Sequence, residues 1–107
     1  MCVASHIGGL NRRAMQALNN GNAANAEFLL CQALHEAQAR SLMGFIPRLH
    51  SNLGLIFLLT GRPVQAVDQF TKALNLFRAR YAGATRFHEV VRRQLDQARQ
   101  EAQTIAM

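Results

Sequence analysis

The chain has 107 residues, half of them hydrophobic and 17% charged, which is typical of one globular domain over residues 1–107 and argues against a disordered segment. Its formal charge of +6 favours an acidic partner. Two cysteines are too few for a disulfide framework. The longest apolar run is far shorter than the roughly 20 residues of a membrane span, and no signal peptide is evident, so we expect a cytoplasmic protein without a membrane partner.

Glycine, asparagine and proline residues divide the sequence into five helical segments. Scarce β-branched residues and abundant alanine, leucine, glutamine and arginine favour helix in each of them. The segments cover about 5–20; 23–43, closed by Gly44; 47–60, from Pro47 to Gly61; 63–82, from Pro63 to Gly83; and 85–106. Because every connection is short, consecutive helices should pack as antiparallel neighbours, which predicts an all-α fold.

An internal repeat with an offset of 40 residues relates the second segment to the fourth. The matched positions are Gly21 with Gly61, Ala26 with Ala66, Leu30 with Phe70, and Ala33-Leu34 with Ala73-Leu74, while Gly44 matches Gly83 after a slip of one. Small residues in this pattern indicate close helix crossings, and the glycines indicate turns. The repeat therefore favours a stack of helix pairs.

The best-matched copy resembles the tetratricopeptide repeat. The residues that carry the resemblance are Asn52-Leu53-Gly54, Phe57, Gly61, Ala66, Phe70 and Ala73, although His50 replaces the usual aromatic residue and Arg78 the closing proline. Residues 7–40 resemble a weaker copy, in which Arg13 stands where leucine is expected. The 40-residue period is similar to that of a subclass of tetratricopeptide repeats with a longer unit. The resemblance implies a short right-handed superhelical stack: repeat one at about 5–43, repeat two at about 46–82, and a capping helix at about 84–106.

The family's first helices line a concave groove that binds a peptide or a helix of another protein, and no catalytic residues accompany it. The resemblance therefore implies a groove formed by Asn11, Arg12, Met15, Asn19, Arg48, Ser51, Asn52, Leu55, Leu58 and Leu59. Some relatives clamp a terminal carboxylate with lysines and asparagines. Asn52 matches that pattern, but Asn11 and Met15 depart from it, which argues against a clamp.

Two groups of polar residues have both a functional and a structural interpretation. Asn52 could hydrogen-bond a bound peptide backbone, or it could bond a neighbouring helix. Four arginines of the fifth segment, together with Arg48, could form a basic rim for an acidic partner, or they could form a solvated face. The rim residues of the fifth segment are Arg86, Arg92, Arg93 and Arg99.

The sequence offers no pattern for catalysis or for cofactor binding. The histidines His6, His35, His50 and His88 and the two cysteines lack metal-ligand spacing, so no metal or other cofactor is predicted. Cys31 lies beside Leu30, and we expect it to be a buried, inert thiol. The acidic residues are scattered singly, and no nucleophile elbow or phosphate-binding loop is present.

We therefore predict a non-enzymatic protein-interaction module that binds a peptide or helix, with an acidic partner favoured by the charge. A self-associating helical assembly is the alternative, because the first segment carries Ile7, Leu10, Met15 and Leu18 at one end of the stack. Nucleic-acid binding rests on the charge alone, and one tyrosine and no tryptophan argue against it. The sequence leaves open whether the fifth helix, a second copy or a ligand covers Leu55, Leu58 and Leu59.

Overall fold

The computed structural model describes residues 3–81 and 85–106, and within them the secondary structure is entirely helical. The helices are α1 (Val3–Asn19), α2 (Ala23–Ala39), α3 (Ile46–Leu59), α4 (Pro63–Arg80) and α5 (Arg86–Ala106). This confirms the all-α prediction and the order of the five segments. Within the described ranges, no helix combines the length and the apolarity that crossing a lipid bilayer requires.

The chain reverses after α1 and after α3 through the same kind of turn. Gly21 and Gly61 adopt left-handed backbone conformations with φ of +82° and +74°. The next N–H then reaches back to a carbonyl of the last helical turn, as Asn22 N–H does to the Ala17 carbonyl at 2.8 Å. Only glycine takes this conformation without strain from a Cβ atom. The two glycines that the internal repeat aligns therefore form equivalent turns.

Helix α2 ends four residues earlier than its predicted limit at Met43. Ser41 takes the left-handed conformation with φ of +55°, and Leu42 N–H donates to the Ala37 carbonyl at 2.9 Å. The terminating turn therefore forms around a serine, and Gly44 lies beyond it. The prediction that Gly44 closes the helix is wrong, and its counterpart Gly83 lies outside the described residues.

The helices pack mainly on their neighbours in the chain. Each consecutive pair is in contact, and α3 also touches both α1 and α5. The Cα positions extend 49 × 35 × 22 Å, and α3 is the helix in contact with all four others. Helix α3 therefore lies at the centre of the molecule.

The core follows the internal repeat closely. Ala26 and Ala66, Leu30 and Phe70, and Ala33 and Ala73 are all fully buried. Helix α3 has ten buried residues of its fourteen, which explains why its sequence is almost uniformly apolar. The prediction that Cys31 is a buried thiol is wrong, because its side chain is exposed.

A side-chain brace joins the α1–α2 hairpin to the α3–α4 hairpin. Arg62, in the turn before α4, forms an ion pair with Glu27 of α2. The same guanidinium lies 4.5 Å from the centre of the Phe57 ring. The ion pair links the two hairpins, whereas the cation–π contact lies within the second hairpin and orients the Arg62 side chain.

Candidate interaction surfaces

A hydrogen bond between two asparagine side chains joins α1 to α3. Asn52 Nδ2 donates to Asn11 Oδ1 over 2.8 Å, and both side chains are half-buried. This is the structural interpretation of Asn52 that the sequence left open. The bond also sets side by side the parts of the two helices that were predicted to line a groove.

Helical periodicity groups the predicted residues around this bond. Arg48, Asn52, Leu55 and Leu59 are spaced by four, three and four positions and so share one side of α3, just as Asn11 and Met15 share one side of α1. Leu55 and Met15 are half-buried, and Leu59 is 63% exposed. We call the surface made by these residues the α1–α3 face; its members are Asn11, Met15, Arg48, Asn52, Leu55 and Leu59.

Four residues predicted for the groove have other positions. Ser51 and Leu58 are each only 8% exposed, so both turn into the protein interior. Leu58 belongs to the hydrophobic core, and the chain itself covers it. Arg12 is exposed and is rotated by about 100° around α1 from Asn11. Asn19 is exposed at the end of α1, one turn beyond Met15 on the same side, and so borders the α1–α3 face. Of the three leucines in question, Leu59 alone is largely open to solvent.

Arg48 also lies at the mouth of a small aromatic pocket at one end of α3. The pocket has a volume of about 130 Å³ and is lined in part by Phe77, Tyr81 and Phe87. The Phe77 ring centre lies 4.8 Å from that of Tyr81 and 4.9 Å from that of Phe87. Arg48 thus lines a different pocket from Arg92 and Arg99, with which the sequence grouped it.

The structure assembles a different set of arginines between α4 and α5. Arg92 and Arg99 of α5 line a cleft of about 300 Å³ together with Arg78 of α4. We call this the α4–α5 cleft; it is lined by Thr71, Leu74, Asn75, Arg78, Arg92, Leu95, Asp96 and Arg99. Arg93 lies in a neighbouring depression, and Arg86 is exposed elsewhere on α5. The sequence grouped Arg92 and Arg99 in a basic rim but did not include Arg78, because the convergence of the three depends on how α5 packs on α4.

The groups in the cleft are only partly neutralised. Arg78 Nε donates to His88 Nε2 over 3.2 Å, a bond that orients the guanidinium without changing its charge. Asp96 Oδ1 lies 3.9 Å from Arg99 Nη1, beyond direct hydrogen-bond distance. Among the described residues, Arg62 and Arg99 are the arginines with a carboxylate within 4.0 Å. Arg78 and Arg92 have none.

Neither a metal centre nor an activated nucleophile is evident in the part of the chain that the structure describes. It contains no group of three or more histidine, cysteine or acidic side chains that could hold a metal ion. Partial burial, and secondarily the charge of Glu27, raise the pKa of the exposed Cys31 thiol. A thiol that stays protonated is a poor nucleophile. Burial lowers the pKa of His50, whose Nδ1 lies 2.7 Å from Gln69 Oε1.

Comparison with protein-family models, with curated proteins and with solved structures gave no match to this chain. The surfaces described above are therefore interpreted from their own chemistry.

Proposed function

We propose that the protein is a non-enzymatic interaction module of tetratricopeptide-like architecture, which binds a peptide or helix of a partner protein on the α1–α3 face. In this architecture α1–α2 and α3–α4 are the two repeats and α5 is the cap. The resemblance in Asn52-Leu53-Gly54, Phe57 and Phe70 supports the proposal. So do the matched turns and the matched buried positions of the two hairpins.

The observation that carries the proposal is the arrangement of amide groups at the centre of the face. The hydrogen bond between the asparagines uses one N–H of Asn52 and the carbonyl of Asn11. Asn52 Oδ1 and Asn11 Nδ2 make no further hydrogen bond within residues 3–81 and 85–106. One acceptor and one donor, held side by side, are complementary to the N–H and C=O of a peptide unit.

Apolar side chains lie on either side of this pair. Met15 follows Asn11 by one turn of α1, and Leu55 and Leu59 extend the same side of α3. From Arg48 to Leu59 the face is about 16 Å long at a rise of 1.5 Å per residue, which matches about five residues of an extended peptide. Amide groups within an apolar strip are the usual composition of a peptide-binding site.

The proposal predicts that Leu59→Asp abolishes partner binding without unfolding the protein. Leu59 is 63% exposed, so a carboxylate there costs little in the free protein but is buried unpaired when a partner docks. The measurement is capture of partner proteins from an extract of the native source, followed by mass spectrometry. Far-ultraviolet circular dichroism checks that the helices are intact.

Phe28→Asp is the matched control. Phe28 is 67% exposed on α2, away from the α1–α3 face, so the substitution adds the same charge at a similarly exposed apolar position. We expect this variant to retain every partner that Leu59→Asp loses. If both variants capture the same proteins as the original chain, the α1–α3 face is not the binding site and the proposal fails.

A further inference from the structure

The α4–α5 cleft combines features of a site for negatively charged groups. Arg78, Arg92 and Arg99 approach it from two helices, and the side chains of Thr71 and Asn75 add polar groups to its wall. Its floor is closed, since Leu74 is 3% and Leu95 is 5% exposed. Packed leucines hold the two helices in place, so the arginines are presented on a rigid support.

The charge of the cleft is strongly one-sided. Three guanidinium groups and one carboxylate, that of Asp96, line the cleft, and Asp96 lies 3.9 Å from Arg99. Glu89 lies outside this lining, in the neighbouring depression that Arg92 and Asp96 share with Arg93. Arg78 donates a hydrogen bond to His88, which carries no negative charge and so does not neutralise the guanidinium. Exposed guanidinium groups bind carboxylates through paired N–H donors. At Arg78 and Arg92 a bound carboxylate would replace solvent, whereas at Arg99 it would compete with the long contact to Asp96.

From this charge complementarity we infer that the α4–α5 cleft is a second binding surface, which takes an acidic peptide segment of a partner protein. Arg92 and Arg99 are seven residues apart on α5, about 10 Å at a rise of 1.5 Å per residue. A peptide in the polyproline II conformation has three residues per turn and a rise of about 3.1 Å per residue, so acidic residues at every third position lie on one side of it at about 9 Å spacing. The surface is distinct from the α1–α3 face, and its binding does not depend on that face.

A nucleic-acid strand is the less suitable occupant of this cleft. Its lining contains no aromatic side chain on which a base could stack. Asp96 also lies among the arginines, and its carboxylate would repel the continuous charge of a phosphate backbone. Separate carboxylates can bind the individual arginines and leave Asp96 uncovered.

The test is a titration of the isotope-labelled chain with a peptide of four Glu-Ser-Ser repeats, followed by nuclear magnetic resonance at low salt. We expect resonances of Thr71, the Asn75 side-chain amide and Arg92 to shift, and those of Asn11 and Asn52 to stay in place. A peptide with glutamine in place of glutamate should cause no shifts. The triple variant Arg78→Gln/Arg92→Gln/Arg99→Gln should bind about tenfold more weakly, because it lacks three carboxylate contacts of modest strength.

The matched control is Arg12→Gln/Arg13→Gln/Arg40→Gln, which removes the same charge from exposed positions of the α1–α2 hairpin. We expect it to weaken binding less than about threefold, through general electrostatics alone. Equal losses in the two triple variants would show that only the net charge matters, and shifts outside the cleft would place the site elsewhere; either result overturns the inference. Tighter binding of a single-stranded oligonucleotide of equal charge, lost in the cleft variant, would instead identify a nucleic-acid site.

Discussion

His50 is the residue whose environment most clearly couples the fold to pH. It lies on α3, is only 5% exposed, and contacts Gln69 of α4. Its Nδ1 lies 2.7 Å from the carbonyl oxygen of the Gln69 side chain, so that nitrogen carries the proton and donates. The Gln69 hydrogen bond thus gives this buried ring a polar partner.

Burial lowers the pKa of His50, and the smaller opposing effect of the Gln69 hydrogen bond does not reverse that direction. Of the charged groups on α4, Lys72 lowers the pKa of His50 and Asp68 raises it. Because the unfolded chain then binds more protons than the folded one below the ordinary histidine pKa of 6.5, the folded state loses stability as pH falls through that value.

We therefore expect His50→Gln to flatten the pH dependence of stability. The free energy of unfolding, measured with urea at about pH 7.5 and pH 5.5, should fall less on acidification in this variant than in the original chain. At neutral pH the variant should be less stable by about 1 kcal/mol from lost packing. His35→Gln, at an exposed position of α2, should keep the original pH dependence. An unchanged decline in His50→Gln would show that other groups cause it.

Gly54 and Phe70 set how closely α3 approaches α4. A Cβ atom placed on Gly54 would lie 2.7 Å from Phe70 Cε1, closer than atoms in proteins approach, and the Phe70 ring is fully buried. In the first hairpin, the positions 40 residues earlier are Ala14 and Leu30, both fully buried. The two hairpins thus combine different side-chain volumes at matched positions. The second pairs a glycine with a phenylalanine, and the first pairs an alanine with a smaller leucine.

This comparison predicts that substitutions at Gly54 and Phe70 have non-additive effects on the free energy of unfolding. Gly54→Ala should destabilise the protein, because overpacking of about 1–3 kcal/mol exceeds the gain in helix propensity of about 1 kcal/mol. Phe70→Leu alone should cost about 1–2 kcal/mol through the cavity it leaves. The double variant should be more stable than the sum of the two changes predicts, by about 1 kcal/mol or more in a double-mutant cycle.

Gly8→Ala is the matched control for the helix propensity term. Gly8 lies within α1, and a Cβ atom there would meet its nearest neighbour, Arg12 Nη1, at an ordinary 3.6 Å. We expect it to stabilise the protein slightly and to show no coupling to Phe70→Leu. Additivity between Gly54→Ala and Phe70→Leu would mean that the ring moves aside freely, contrary to the packing described here.

At the scale of the elements, the sequence predicts what depends on local chemistry. The turns after α1 and α3 follow from Gly21 and Gly61, whose backbone conformation only glycine adopts readily. The end of α2 could not be predicted in the same way, because Ser41 takes a left-handed conformation that its residue type disfavours. Cys31 was misplaced because one step along the sequence is a rotation of 100° around a helix, enough to separate it from buried Leu30.

At the scale of the whole molecule, the sequence predicts the sign of the charge but not where it is concentrated. Arg78 is 14 and 21 residues from Arg92 and Arg99, and only the packing of α5 on α4 brings the three into one cleft. In the same way, Ile7 and Leu10 suggested an open apolar helix suited to self-association, whereas both are buried in the core. Which side chains converge and which are buried depends on how the helices pack, and the periodicity of a single helix does not determine it.

The arrangement of the helices has a consequence for local stability across the molecule. Helix α3 touches α1, α2, α4 and α5, whereas α1 and α5 are the first and last helices and have fewer neighbours. Helix α1 buries Ile7, Leu10 and Ala14, against ten buried residues in α3. Helices with fewer buried residues and fewer neighbours can open locally while the more buried centre stays folded.

We therefore expect native-state hydrogen exchange to be slowest in the amides of α3, with amides in the middle of α1 and α5 exchanging at least about tenfold faster through partial unfolding. The opening of α5 should expose Leu74 and so weaken α4 next, which predicts an intermediate rate in the second half of α4. At low denaturant concentrations, the exchange rate of α3 should rise with the denaturant dependence of global unfolding. The exchange rates of α1 and α5 should rise with a smaller denaturant dependence. If all five helices instead share one slowest rate and one denaturant dependence, the chain unfolds as a single cooperative bundle, and the proposal of a repeat stack loses its energetic support.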